Sequence, residues 1–128
     1  MIVLGKSNSP KNTMSDDCIF CKIIKGQIPS DSLYQDEEVM VFKDLSPQAP
    51  THLLIIPTKH LSTLNDADPE DQALLGKLML TGKQMAEQLG LVEGGYRLVL
   101  NVGEGAGQAV FHIHLHLLAG REFTWPPG

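Results

Sequence analysis

From residue 18 onward the apolar positions fall into short runs with two different periods, and the period separates helix from strand. Cys18-Ile19-Phe20-Cys21-Lys22-Ile23-Ile24 puts Phe20, Ile23 and Ile24 on one helical face and stops at Gly26, so a short helix is predicted there. Residues 32–35 and 39–43 read as short strands around the acidic turn Asp36-Glu37-Glu38. Two prolines make residues 45–50 a loop, and residues 52–56 form a dense apolar strand closed by Pro57. The strongest helix signal follows. Asp68 can cap, Pro69 suits the first helical position, and Glu70 and Asp71 face the positive end of the helix dipole. Leu75, Leu78, Met85 and Leu89 then recur as one stripe with Gly82 in its gap, and Gly90 ends it. Gly94-Gly95 turns the chain into a strand over 96–102, a glycine-rich loop spans 103–107, and a last strand is predicted over 111–118. The ending Trp125-Pro126-Pro127-Gly128 suits neither helix nor central strand. About five strands with mostly short connections, one long helix and one short N-terminal helix predict an α+β fold with an antiparallel sheet.

Residues 1–15 lie outside this pattern and read as a disordered leader, with one domain over 16–128. The net charge of -5 argues against a nucleic-acid groove, which needs a basic patch, but leaves room for a single nucleotide held by a few N–H groups. No apolar run is long enough to span a membrane. Two cysteines do not make a disulfide framework in a chain of 128 residues, so a reducing, cytoplasmic setting is expected.

The informative segment is Phe111-His112-Ile113-His114-Leu115-His116-Leu117-Leu118. Side chains alternate along a strand, so His112, His114 and His116 should share one face, roughly 6.6 Å apart from Cα to Cα. Phe111, Ile113, Leu115 and Leu117 should take the other face and pack on the helix stripe. Imidazole is both a nucleophile and a proton carrier near neutral pH. One such ring can attack phosphorus while a second, as imidazolium, holds the oxygens, and N–H groups of the loop Gly105-Ala106-Gly107-Gln108-Ala109 can add to it. That chemistry needs no catalytic metal. The same spacing also suits a metal site made of all three rings, or plain packing.

The run His112 to Leu118 matches without a gap the motif of the histidine triad (HIT) family, and the chain resembles its Hint branch. Supporting stretches are Ile19-Phe20, Lys22-Ile23-Ile24, Ile28-Pro29, Asp44 to His52, Gly95-Tyr96-Arg97 and the ending Trp125-Pro126-Pro127-Gly128, which is unlike the Fhit branch. The resemblance implies a homodimer that hydrolyses purine nucleoside phosphoramidates, on AMP or GMP skeletons, through a nucleotidyl-histidine. It implies His114 as nucleophile, His116 as the phosphate-contacting histidine, His112 as support from behind and His52 as a fourth histidine near the leaving group. Asp44 would hold the ribose hydroxyls. Phe20, Ile23, Ile28, Phe42, Leu45 and Leu54 would form the base pocket. Asn101 and the loop Gly107, Gln108, Ala109 and Val110 would meet the phosphate, and Trp125 would reach the partner's site. Read as residues alone, Asp44 and Asn101 also suit turns, Phe20, Ile23 and Phe42 suit any core, and His52 suits a satisfied buried histidine. Many Hint members have serine where this chain has Ala109, which implies slower work on poor leaving groups.

Cys18 and Cys21 stand at helical i, i+3 spacing, so their sulfurs lie on one side. With His60 and His112 they would complete a four-ligand structural zinc site; two reduced thiols are the alternative. Bacterial relatives that the chain resembles hold zinc with that set, which would draw His112 away from the triad. Besides phosphoramidate hydrolysis, the residues suit a nucleotide-binding scaffold with weak activity, or a dinucleoside polyphosphate hydrolase or nucleotidyl transferase.

Overall fold

Helix α1 (Ile19–Ile24) starts at Cys18, an extended residue whose sulfur accepts the Cys21 N–H at 3.2 Å and so caps the first turn. The structure, a computed structural model, describes residues 17–128; the expected leader over 1–15 lies outside the described residues. After α1 come strands β1 (Ser32–Gln35), β2 (Val39–Lys43) and β3 (Thr51–Pro57), helix α2 (Gln72–Gln88), and strands β4 (Tyr96–Val99) and β5 (Leu115–Ala119). The five strands pair antiparallel in the order β1-β2-β3-β5-β4, as the short connections predict. Among the described residues no helix is long and apolar enough to cross a membrane.

Strand alternation divides the core between two faces. Val39, Val41, Leu53, Ile55, Leu115 and Leu117 meet Leu78, Met85 and Ala86 of α2. Met40, Phe42, Leu54 and Ile56 face the other way, against Phe20, Cys21 and Ile23 of α1. Gly82 occupies the gap in the α2 stripe because a Cβ there would stand 3.2 Å from Leu98 Cδ2 and 3.3 Å from Ile55 Cδ1. A larger side chain would push the helix off the sheet. Leu89, by contrast, falls beyond the helix end and is exposed, so the stripe is one residue shorter than its period suggests.

Three boundaries differ from the sequence pattern. Pro69–Asp71 winds as a tight 3-10 turn ahead of α2, with the Asp71 carboxylate accepting the Asp68 N–H at 2.8 Å. β4 ends at Val99, opposite His116. β5 begins only at Leu115, not at 111. The cause is a long-range contact: the Ile113 N–H donates to the Leu61 carbonyl at 2.8 Å, in the loop after β3, and not to the ladder. Phe111 is correspondingly exposed and does not join Ile113 and Leu115 in the core.

Candidate active site

β3 and β5 set the site. Their register places His116 opposite Leu54 and His52 opposite Leu118, so both histidines lie on the face covered by α1. His114 and His116 line a cavity of about 270 Å³ together with Phe20, Phe42, Asp44, Leu45, Leu54, Gly107, Ala109 and Val110. All of these were expected from the sequence. Lys43 lines it as well and was missed, because an exposed strand-end lysine carries no signal of its own.

The hydrogen bonds assign the ring protons. His114 Nδ1 sits 2.8 Å from the carbonyl oxygen of His112, an acceptor only, so Nδ1 carries the proton and Nε2 holds the lone pair. Phe20 packs edge-on against the His114 ring, centroids 5.2 Å apart, and holds its plane. His116 Nδ1 lies 2.9 Å from His52 Nε2. Asp44 Oδ2 lies 3.4 Å from the same His52 nitrogen, while Asp44 Oδ1 accepts the Ser46 N–H at 2.8 Å. Asp44 is thus both turn residue and site residue. Burial is the largest influence on all three rings and lowers their pKa values, that of His116 to about 4; for His114 the bond to the His112 carbonyl works the other way. Burial thus favours the neutral ring at His116.

Several expected contacts do not form. His112 does not line the cavity beside His114 and His116. Its Nε2–H donates to the Pro57 carbonyl at 2.8 Å, and its Nδ1 faces Cys18 Sγ at 3.3 Å, Cys21 Sγ at 3.6 Å and His60 Nδ1 at 3.1 Å. Gln108 is buried with its amide fully engaged: Oε1 accepts the Gly103 N–H at 2.8 Å and Nε2 donates to the Ser62 and Val110 carbonyls. Its side chain braces the loop and does not meet phosphate. The N–H groups of Ala106, Gly107 and Gln108 also close the turn on itself, leaving fewer oxyanion donors than expected. Ile23 is buried and Ile28 half-buried beneath the cavity, in the cluster that packs its floor. Asn101 is half-buried and outside the lining. Trp125 is 83% exposed and outside the lining of the histidine cavity.

Cys18, Cys21, His60 and His112 converge, with one ligand atom from each within 4.8 Å of the others and all four side chains buried. Tetrahedral zinc with bonds of about 2.0–2.1 Å to nitrogen and about 2.3 Å to sulfur implies about 3.4 Å between nitrogens and about 3.5 Å between nitrogen and sulfur. The separations of 3.1, 3.3 and 3.6 Å fit that geometry. The Pro57 carbonyl fixes the His112 proton on Nε2, so Nδ1 is free to bind metal.

Known proteins place this arrangement. The HIT domain pattern matches residues 25–123. The purine nucleoside phosphoramidase of Escherichia coli is 50% identical over 108 residues, 84% of this chain and 91% of that one. An uncharacterized HIT-like protein of Synechococcus elongatus is 52% identical, covering 90% of this chain and the whole of the relative. Among solved structures, a HIT family hydrolase of Legionella pneumophila superposes with a TM-score of 0.86 at 54% identity, covering 88% of this chain and all of that one. Alternating histidines leading into β5, a fourth histidine on β3 and matches across nearly all described residues lead to one conclusion: the chain belongs to the HIT domain family.

Proposed function

We propose that the protein is a nucleotide hydrolase that cleaves the phosphorus–nitrogen bond of purine nucleoside 5'-phosphoramidates through a nucleotidyl-His114 intermediate. One observation carries the reading. His114 gives its Nδ1 proton to the His112 carbonyl, which leaves the other ring nitrogen as a lone pair in a cavity with an apolar floor and a carboxylate at its rim. The 50% identity to a purine nucleoside phosphoramidase supports the choice of substrate.

In the first displacement His114 Nε2 bonds to phosphorus and the P–N pair leaves with the amine, which takes a proton from solvent. Residue 109 is alanine and offers no hydroxyl for that transfer. His116 donates its Nε2–H to a phosphoryl oxygen. Water then attacks phosphorus in line, releasing the nucleoside monophosphate and restoring the His114 lone pair. Phe20, Phe42, Leu54 and Val110 would cover the base and Asp44 the ribose hydroxyls. Zinc in the Cys18, Cys21, His60, His112 cluster would be structural: it would clip α1 to the segment ahead of β5 and so hold the carbonyl that orients His114.

We place the homodimer in the same reading. β4 is an edge strand with every residue only half-buried, and Met79 and Leu80 on α2 are 52% and 66% exposed. Light scattering should return twice the chain mass.

Rapid quench after mixing with adenosine 5'-phosphoramidate should trap one AMP on His114, located by peptide mass spectrometry. His114→Ala should bind AMP yet release no amine. Turnover by that variant, or none by the wild type on any purine phosphoramidate, refutes the proposal; activity confined to dinucleoside polyphosphates does so too.

A further inference from the structure

His52 is held from behind by main chain. The Gln48 N–H donates to His52 Nδ1 at 3.0 Å, and the Gln48 carbonyl accepts from Arg121 Nε at 2.9 Å. The loop that carries Gln48 and the segment after β5 also touch directly. Gly120 has φ +98°, and a Cβ there would stand 2.8 Å from Pro50 Cβ. A third Gln48 contact, from its own Nε2 to the Ser46 carbonyl at 3.0 Å, closes the loop on itself.

A neutral imidazole has one proton to place. With Nδ1 accepting from Gln48, the His52 proton sits on Nε2. The groups facing that nitrogen, His116 Nδ1 at 2.9 Å and Asp44 Oδ2 at 3.4 Å, are both acceptors. His116 Nδ1 then accepts, and the His116 proton moves to Nε2. That nitrogen is buried and has no hydrogen-bond partner among the described residues. We propose that the main-chain amide of Gln48, steadied by Arg121, is a positioning group that fixes the tautomers of His52 and His116, so that His116 offers the reacting phosphate a proton and not a lone pair.

The same contact bears on a second possibility for these residues. Asp44, His52 and His116 bring three ligand atoms within 4.8 Å of one another, a set that suits a divalent cation. Coordination through His52 Nε2 would force the proton onto Nδ1, against the Gln48 N–H, so the loop selects the hydrogen-bonded chain over metal.

The identity of the acceptor rests on the phosphoramidase reading, but the tautomers do not, and spectra of the substrate-free protein test them alone. In histidine-labelled protein, long-range 1H–15N correlations should show His52 and His116 each with an unprotonated Nδ1 and a protonated Nε2. A protonated Nδ1 on either ring overturns the proposal. Gln48→Pro removes that N–H, together with the side-chain bond to the Ser46 carbonyl. It should mix the His52 tautomers and lower kcat roughly 3- to 10-fold, about the worth of one hydrogen bond, with KM nearly unmoved. Arg121→Ala, at an exposed residue, should shift the same signals less, and Arg121→Lys should restore them. Should Gln48→Pro not fold, Arg121→Ala decides. Unchanged His52 signals in the folded variant refute the role of the loop.

Discussion

A strong chelator tests how far the buried Cys18, Cys21, His60, His112 cluster supports both the fold and the nucleophile. The four side chains come from three separate places: the start of α1, the loop after β3 and the segment ahead of β5. A metal there would clip together parts of the chain that lie far apart in sequence. A site holding zinc at about a thousand times its dissociation constant adds about 4.1 kcal/mol to folding. At about 4 °C per kcal/mol for a domain of this size, its loss should lower Tm by about 16 °C. The His112 carbonyl, which accepts the His114 Nδ1–H at 2.8 Å, would loosen at the same time. Turnover should therefore fall more than AMP affinity, which depends on the apolar floor. Protein purified without chelator should carry one zinc per chain by elemental analysis. Scanning calorimetry before chelation, after it and after zinc is returned should show the drop and its reversal. Absence of stoichiometric zinc, or a Tm indifferent to chelation, refutes the reasoning.

Ala109→Ser should restore a hydroxyl at the mouth of the cavity and raise kcat on phosphoramidates of basic, poorly departing amines more than on those of good leaving groups; equal or no gain across the series counts against solvent as the proton source. Phe20→Ala should cost about 3–5 kcal/mol in urea denaturation, because the ring is buried and packs on Phe42, His112 and His114; a cost under about 1 kcal/mol would mean that it is not core. Stability should fall as pH drops from about 6.5 toward 4. The buried His116, with its pKa lowered to about 4, takes up its proton later than the unfolded chain does, so the unfolded state binds more protons in that window. A urea midpoint that does not move between pH 7 and pH 5 contradicts this.

Strand period and proline punctuation were enough to read β1, β2, β3 and the antiparallel sheet, since each depends on neighbours a few residues away. The histidine alternation was legible for His114 and His116 for the same reason: both stand within or beside a true ladder. For His112 the alternation alone put the ring beside His114 and His116, and only the family resemblance pointed to its meeting with Cys18, Cys21 and His60, 94, 91 and 52 positions away. No pattern within ten residues says that Ile113 will bond to Leu61 and end the strand early. Gln108 is similar, a polar residue in a glycine loop whose amide is used up by Ser62, 46 residues upstream. Local pattern determined the elements and which residue types could do chemistry. Long-range contacts alone decided where each proton sits, because a tautomer is set by whatever donor or acceptor the fold brings to the other side of the ring.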